Sequence, residues 1–209
     1  EVDSVNNTVS ANIKNFGLYS IISKHSTKTS MLFDLIFVID DSGSMMEPTP
    51  GLAASGSDIN NFRLEVAEKI CYTFFKTENR FGVIQFSTDS KIIQNLTNNK
   101  NLIEEALMDP NWHSEGGTNI GGGLLTGINT FEESNQQKII ILLSDGMDNA
   151  TGGPAIIQDA IQQANKAGIT IYTIGLGDAV NENELKQIAS KTKGKYFFAQ
   201  NVAEIDKFF

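Results

Sequence analysis

Three oxygen-bearing side chains, Asp40, Ser42 and Ser44, directly follow an apolar run at residues 35–39. The run lacks polar alternation, which is typical of a strand buried on both faces of a parallel sheet. Open α/β sheets bind ligands at the carboxyl ends of such strands. The three side chains alternate, so one carboxylate and two hydroxyls can point the same way. These hard oxygen ligands suit Mg²⁺ or Mn²⁺, although a capped polar loop would use the same residue types.

Two later segments can bring further oxygen ligands to the same edge of the sheet. Residues 116–119, GGTN, lead into a helical pattern, and residues 144–146, SDG, end a second apolar run. If the two apolar strands are parallel neighbours, Asp145 lies one strand spacing, about 5 Å, from Asp40. Thr118 adds a third hydroxyl. The predicted site therefore contains two carboxylates and three hydroxyls, with room for water.

Strands and helices alternate along most of the chain, which predicts a three-layer α/β/α fold with a mostly parallel sheet. The two-residue turn at Thr88 and Asp89 predicts a hairpin whose second strand is antiparallel at the sheet edge. Asp58 is the predicted N-cap of the first helix. Glycines 121–123 within a helical pattern indicate a close approach to a neighbouring backbone. The predicted strands are 35–39, 81–87, 90–96, 138–146, 169–177 and 195–199, and the predicted helices are 58–75, 100–108, 118–133, 153–167, 181–191 and one from 202.

The composition argues against two classes of partner. The net charge of −9 and the pI near 4.7 disfavour nucleic acid and anionic membranes, because both need basic patches. No apolar run reaches the roughly 18 residues of a membrane span. Cys71 is the only cysteine, so no intrachain disulfide can form, and its apolar neighbours predict a buried, unreactive side chain.

The first 30 residues differ from the rest of the chain. They contain strand-like alternation followed by a polar linker. We expect residues 1–30 to be an extension or the end of a preceding domain, and residues 31–209 to form the main domain.

The three oxygen-bearing segments together resemble the metal-ion-dependent adhesion site of the von Willebrand factor A family. The matching segments are DDSGS at 40–44, GGTN at 116–119 and LLSDG at 142–146, in the family's order and at similar spacings. The similarity continues through 173–199, in the style of bacterial and archaeal members, and covers about 32–209. It implies the Rossmann-like three-layer fold of that family, with one antiparallel edge strand.

The resemblance also implies a metal-dependent protein-binding or adhesion module rather than an enzyme. Mg²⁺ is the expected cation, with Mn²⁺ or Ca²⁺ as alternatives. If no carboxylate binds it directly, a Glu or Asp of a partner protein can complete its coordination. The expected setting is a larger prokaryotic protein, extracellular or at the cell surface, with the cytoplasm as the alternative. The implied direct or near-direct ligands are Ser42, Ser44 and Thr118, and the implied water-mediated ligands are Asp40 and Asp145.

Two other functions stay open at this point. A metal-dependent phosphatase of the haloacid dehalogenase type also places aspartates after an apolar strand. Its chemistry needs a second acid two residues after the nucleophilic aspartate, and here that residue is Ser42. The third hypothesis is a structural domain of the same family whose metal site no longer functions.

The residues around the predicted site carry further expectations. Asp41 is predicted to be a solvated charge at the rim. Asp148 and Asn149 are predicted to be loop residues, with a hydrogen bond to the site as the alternative. Trp112 and its neighbour His113 are expected to pack against the domain rather than to contact a partner. The Pro- and Gly-rich loop at 45–57 is expected to shape partner selection.

Overall fold

The computed structural model describes residues 32–45, 58, 61–76, 78–109, 111–146, 148–177 and 180–199, and the backbone of 2–3 and 8–9. The strands are β1 (Val2–Asp3), β2 (Thr8–Val9), β3 (Phe33–Asp40), β4 (Arg80–Phe86), β5 (Ser90–Thr97), β6 (Gln137–Ser144), β7 (Thr170–Leu176) and β8 (Tyr196–Ala199). The helices are α1 (Phe62–Phe74), α2 (Lys100–Leu107), α3 (Ile120–Thr130), α4 (Gly153–Lys166) and α5 (Glu182–Lys191), with a 3₁₀ turn at Gly43–Met45.

Six of the strands form one sheet in the order β5-β4-β3-β6-β7-β8. All neighbouring pairs are parallel except β4 and β5, which are antiparallel at the edge. Helices α1 and α2 contribute to the apolar cluster on one face, and α3, α4 and α5 contribute to the cluster on the other. The predicted three-layer, Rossmann-like α/β fold with one antiparallel edge strand is therefore confirmed.

Strand β3 lies at the centre of the sheet and is buried along its whole length. Leu35 and Phe37 pack into one apolar cluster, and Ile36 and Val38 pack into the other. This two-sided burial is the reason for the continuous apolar run, since no side chain before Asp40 needs to face water.

The carboxyl ends of the three central strands are aligned. Ile39 of β3 lies opposite Leu143 of β6 and Gln85 of β4 in the parallel registers. The segments that follow these strands therefore leave the sheet side by side. This places the Asp40 and Asp145 segments at one edge, as predicted.

The glycines at the start of α3 permit close packing on both sides of the helix. A Cβ on Gly121 would lie 2.6 Å from Ile156 Cγ2 and 2.8 Å from the backbone nitrogen of Ile157 in α4. A Cβ on Gly123 would lie 2.7 Å from the ring of Phe86 in β4. The predicted close approach is confirmed for the first of these contacts, because one of its partners is backbone.

Helix α1 begins later than predicted. It starts at Phe62, and Asn61, in a left-handed conformation with φ 55°, occupies the N-cap position. The predicted N-cap residue, Asp58, instead accepts hydrogen bonds from the N–H groups of Phe62 and Arg63, at 2.6 and 3.1 Å. Asp58 therefore satisfies the first N–H groups of the helix from outside it.

Several predictions fall outside the described residues. These are the strands expected within 10–31, the loop at 46–57 and the helix expected from 202. The boundary between an N-terminal extension and the main domain stays a prediction. None of the helices in the described part of the chain is long and apolar enough to cross a membrane.

Cys71 is buried in α1, and we expect it to be unreactive in the folded protein. Burial raises the pKa of its thiol to about 12, so little thiolate exists at neutral pH. Incubation with a chromogenic disulfide at pH 8 should label less than a tenth as fast under native conditions as in concentrated guanidinium chloride. Equal labelling rates in the two conditions would contradict the burial of Cys71.

Candidate functional site

Asp40 lies buried at the bottom of the site, at the carboxyl end of β3. Its carboxylate accepts hydrogen bonds from the Ser42 backbone N–H at 2.9 Å and from the Ser144 hydroxyl at 2.5 Å. Burial raises the pKa of Asp40 to about 6; the hydrogen bonds from Ser144 and Ser42 oppose this shift, and the charge of Asp145 adds to it. Since Ser144 is the last residue of β6, Asp40 connects the ends of the two central strands.

The hydroxyls of Ser42 and Ser44 lie above this carboxylate in the chain's first turn after β3. Their oxygen atoms are 3.0 Å apart, and either can donate to the other. In an octahedral shell with Mg–O distances of about 2.1 Å, adjacent ligand oxygens are also about 3.0 Å apart. Ser42 is buried, whereas Ser44 is exposed. The pair therefore fits two adjacent positions of a Mg²⁺ shell that faces solvent on the Ser44 side.

Thr118 is buried in a segment that is held against the first one. The Gly43 N–H donates to the Gly116 carbonyl at 3.1 Å, which joins the two segments through backbone. On the other side, the Gly117 N–H donates to Thr88 Oγ1 at 2.8 Å. Gly116 has φ 80°, a left-handed conformation that favours glycine, which explains one glycine of GGTN.

Asp145 is fully buried directly after β6. Its charge contributes to the raised pKa of Asp40, because the two carboxylates are close enough for their charges to interact. The Asp145 carbonyl accepts from the Asn181 N–H at 2.8 Å, which ties the start of α5 to this segment. The structure thus places Asp145 and Asp40 next to each other at the carboxyl ends of the paired strands β6 and β3, as the sequence predicts.

Asp148 and Asn149 do more than the sequence predicts, because both bind to the Thr118 segment. Asn149 Oδ1 accepts from the Thr118 N–H at 2.8 Å, and the Asn149 N–H donates to the Thr118 carbonyl at 3.0 Å. Asp148 Oδ2 accepts from the Ile120 N–H at 2.9 Å, and its Oδ1 accepts from the Ala150 N–H at 3.0 Å. The alternative of a hydrogen bond to the site is therefore the correct one.

The prediction for Asp41 is wrong. Asp41 is only 4% exposed, and its carboxylate forms an ion pair with Arg63 at 2.7 Å. It also accepts from the N–H groups of His113 and Ser114, at 3.1 and 3.0 Å, and from Gln85 Nε2 at 2.6 Å. Asp41 is therefore a buried residue that holds the chain just before the Thr118 segment, and not a solvated charge at the rim.

Arg63 completes this buried network and was missed by the sequence analysis. Its guanidinium is fully buried and donates to Asp58 at 2.8 Å and to the Ser114 hydroxyl at 2.8 Å, in addition to Asp41. The signal was available, since Arg63 precedes Val66 and Ile70 on the apolar face of α1. A charged residue on a buried helix face requires buried partners of opposite charge.

Trp112 packs against the domain, as expected. Its Nε1 donates to the Ala106 carbonyl at 3.1 Å, and its ring lies against the apolar cluster under α1 and α2. His113 is exposed, and its backbone is bound to Asp41. These contacts give Trp112 a structural role in the segment that precedes Thr118.

A solvent-facing depression of about 410 Å³ opens beside the serine pair. Within the described ranges, no group of three or more His, Cys, Asp or Glu side chains could hold a metal. The hydroxyl oxygens of Ser42, Ser44 and Thr118 add to the two carboxylates of Asp40 and Asp145 at this edge. The depression is lined by Ser44, Gly116, Thr118, Asp148, Asn149, Val180 and Asn181.

Comparison with known proteins gives consistent matches. The profile of the von Willebrand factor type A domain matches residues 34–209. Mouse integrin alpha-M is 27% identical over 176 residues, covering 79% of this chain and 14% of that protein. Mouse inter-alpha-trypsin inhibitor heavy chain H3 is 30% identical over 179 residues, covering 77% of this chain and 18% of that protein. The chain thus spans less than a fifth of either relative.

A solved structure shows the same fold. The manganese-loaded TRAP protein of Plasmodium vivax superposes with a TM-score of 0.66, covering 85% of this chain and 72% of that one. The two sequences are 14% identical, so this likeness concerns the fold alone.

Proposed function

This chain belongs to the von Willebrand factor type A domain family, and we propose that it binds a divalent cation and, through it, an acidic residue of a partner protein. The family is one of metal-dependent adhesion and protein-interaction modules. The observation that carries the proposal is the pair of hydroxyl oxygens 3.0 Å apart, above buried carboxylates and beside an open depression.

Two groups of residues would hold the cation, one by direct coordination and the other through water. Ser42 and Ser44 would bind it directly, and Thr118 would bind from the adjoining segment. Asp40 and Asp145, both buried, would hold it through water and keep that water oriented. When bound, the cation supplies a positive charge with an exchangeable coordination position.

This division of ligands favours an acidic partner. Hydroxyls are neutral, so a cation held by them keeps more positive charge than one bound directly by carboxylates. A Glu or Asp side chain of the partner can then occupy the exchangeable position from the depression. We propose Mg²⁺ as the cation, with Mn²⁺ or Ca²⁺ as alternatives, and we note that a manganese-loaded protein shares the fold.

The phosphatase hypothesis lacks its general acid. Among the described residues, the only other carboxylate on the turn that holds Asp40 is Asp41, which is buried in an ion pair with Arg63. It is therefore not placed to protonate a leaving group above Asp40. We propose a binding role without catalysis, in a larger extracellular or cell-surface protein.

The proposal is tested by calorimetric titration of Mg²⁺ and Mn²⁺ into the chelator-treated protein. We expect saturable binding at one site, and a roughly 10- to 100-fold loss of affinity in Asp145→Ala, the range seen when a group that orients metal ligands is removed. Asp159→Ala is the matched control, because Asp159 is an exposed aspartate on α4.

Two results would contradict the proposal. One is the absence of saturable binding by the unmodified protein. That result would favour a structural domain without a working metal site. The other is an equal affinity of Asp145→Ala and Asp159→Ala, which would show that the bound cation does not depend on Asp145.

A further inference from the structure

We propose that Asn149 recognises the partner's carboxylate, its side-chain NH₂ group donating to the carboxylate oxygen that is not on the cation. The inference rests on the proposed function, because it names the residue beside the cation that selects an acidic partner. It makes Asn149 a specificity-determining residue with two separable roles, one toward Thr118 and one toward the partner.

The orientation of the Asn149 amide is fixed by Thr118. The N–H of Thr118 needs an acceptor, and only the oxygen of the amide can accept, since the NH₂ group is a donor. The observed 2.8 Å contact therefore places Oδ1 on Thr118. The return bond from the Asn149 N–H to the Thr118 carbonyl, at 3.0 Å, holds the residue from its backbone. Consequently Nδ2 is turned away from the Thr118 N–H.

The NH₂ group is available to a ligand. Asn149 is exposed, and no described residue accepts a hydrogen bond from its Nδ2. The nearest carboxylate in sequence, Asp148, already accepts from the N–H groups of Ile120 and Ala150 through its two oxygens. Asn149 lines the same depression as Ser44 and Thr118, two of the proposed cation ligands.

A carboxylate is the ligand that would use both the cation and the NH₂ group of Asn149. A carboxylate that binds a cation through one oxygen presents a second oxygen, with lone pairs, a little over 2 Å from the first. A neutral donor at the edge of the depression can bind that second oxygen. Because the donor is uncharged, the negative charge that draws the carboxylate to the cation stays intact. A hydrogen bond to a charged acceptor is worth roughly tenfold in affinity or more.

The two roles of Asn149 can be separated by substitution. Asn149→Asp keeps an oxygen acceptor for the Thr118 N–H but removes the donor. Asn149→Ala removes both. Asn181→Asp is the matched control for charge, because Asn181 lines the same depression, is exposed, and makes no side-chain contact with Thr118.

The experiment uses the full chain loaded with Mn²⁺ and a capped Gly-Glu-Gly tripeptide as the carboxylate probe. Water proton relaxation reports the probe, since a carboxylate on Mn²⁺ displaces a fast-exchanging water. For Asn149→Asp we expect Mn²⁺ affinity no weaker than that of the unmodified protein and probe affinity at least tenfold weaker. Asn181→Asp should weaken the probe less than threefold, and Asn149→Ala should weaken both Mn²⁺ and the probe.

The outcomes distinguish this inference from the proposed function. If Asn149→Asp binds the probe as the unmodified protein does, or if Asn181→Asp loses as much, the inference is wrong and the proposed function is unaffected. If the unmodified protein binds Mn²⁺ but the probe leaves proton relaxation unchanged, the acidic partner and the inference both fail. A purely structural role for Asn149 would weaken Mn²⁺ and probe in parallel in both of its variants.

Discussion

Replacing Arg63 with Met is expected to lower the free energy of unfolding by about 3–5 kcal/mol, the usual cost of breaking a buried ion pair. The guanidinium is fully buried between Asp41 and Asp58, at 2.7 and 2.8 Å, and each aspartate residue is only 4% exposed. Met fills a similar volume but leaves both carboxylates without their cation. Urea unfolding, in the presence of chelator so that bound metal does not contribute, measures the loss.

A double-mutant cycle shows whether the loss comes from the ion pair. In Asp41→Asn/Arg63→Met the uncompensated charge at position 41 is absent, so the double variant should be more stable than the sum of its single variants predicts, by about 0.5–3 kcal/mol. Asp58 keeps two backbone N–H donors in either background. A single Arg63→Met variant within 1 kcal/mol of the unmodified protein would contradict the buried network.

The same network connects the fold to the proposed metal site. Asp41 accepts the N–H groups of His113 and Ser114 through its side chain, and its carbonyl accepts the Glu115 N–H at 3.0 Å. These bonds fix the chain just before the Thr118 segment. Arg63→Met should therefore also weaken Mg²⁺ binding in whatever fraction of the protein remains folded.

The sequence predicts the scaffold well because its strongest signals are local. The apolar run before Asp40 and the one before Asp145 are typical of strands buried on both faces, and such strands occupy the middle of a parallel sheet. The alternation of Asp40, Ser42 and Ser44 then determines which atoms share an edge. These inferences need no knowledge of distant parts of the chain.

The errors concern residues whose role depends on partners far away in sequence. Asp41 lies between the motif residues Asp40 and Ser42, a position that predicts a solvated charge at the rim. Its burial is stabilised by Arg63, which lies 22 positions later in the chain. Asn149 lies 31 positions from Thr118, and nothing in their spacing indicates that the two segments exchange hydrogen bonds. The helix begins at Phe62 rather than at Asp58, and Asp58 accepts the N–H groups of Phe62 and Arg63 from four and five positions before them, which the N-cap pattern does not indicate.

Removing both serine hydroxyls is expected to abolish stabilisation by Mg²⁺. At a Mg²⁺ concentration of about 100 times the Kd, the unmodified protein should gain about 2.7 kcal/mol, and Ser42→Ala/Ser44→Ala should gain almost nothing. The two hydroxyls bond to each other, and Asp40 keeps its hydrogen bonds from the Ser42 N–H and the Ser144 hydroxyl when both are removed, so stability in chelator should fall only modestly. Thermal unfolding with Mg²⁺ and with chelator measures the difference, with Ser190→Ala on the exposed side of α5 as the control. Equal Mg²⁺-dependent stabilisation of the double variant and the control would show that the serines are not the ligands.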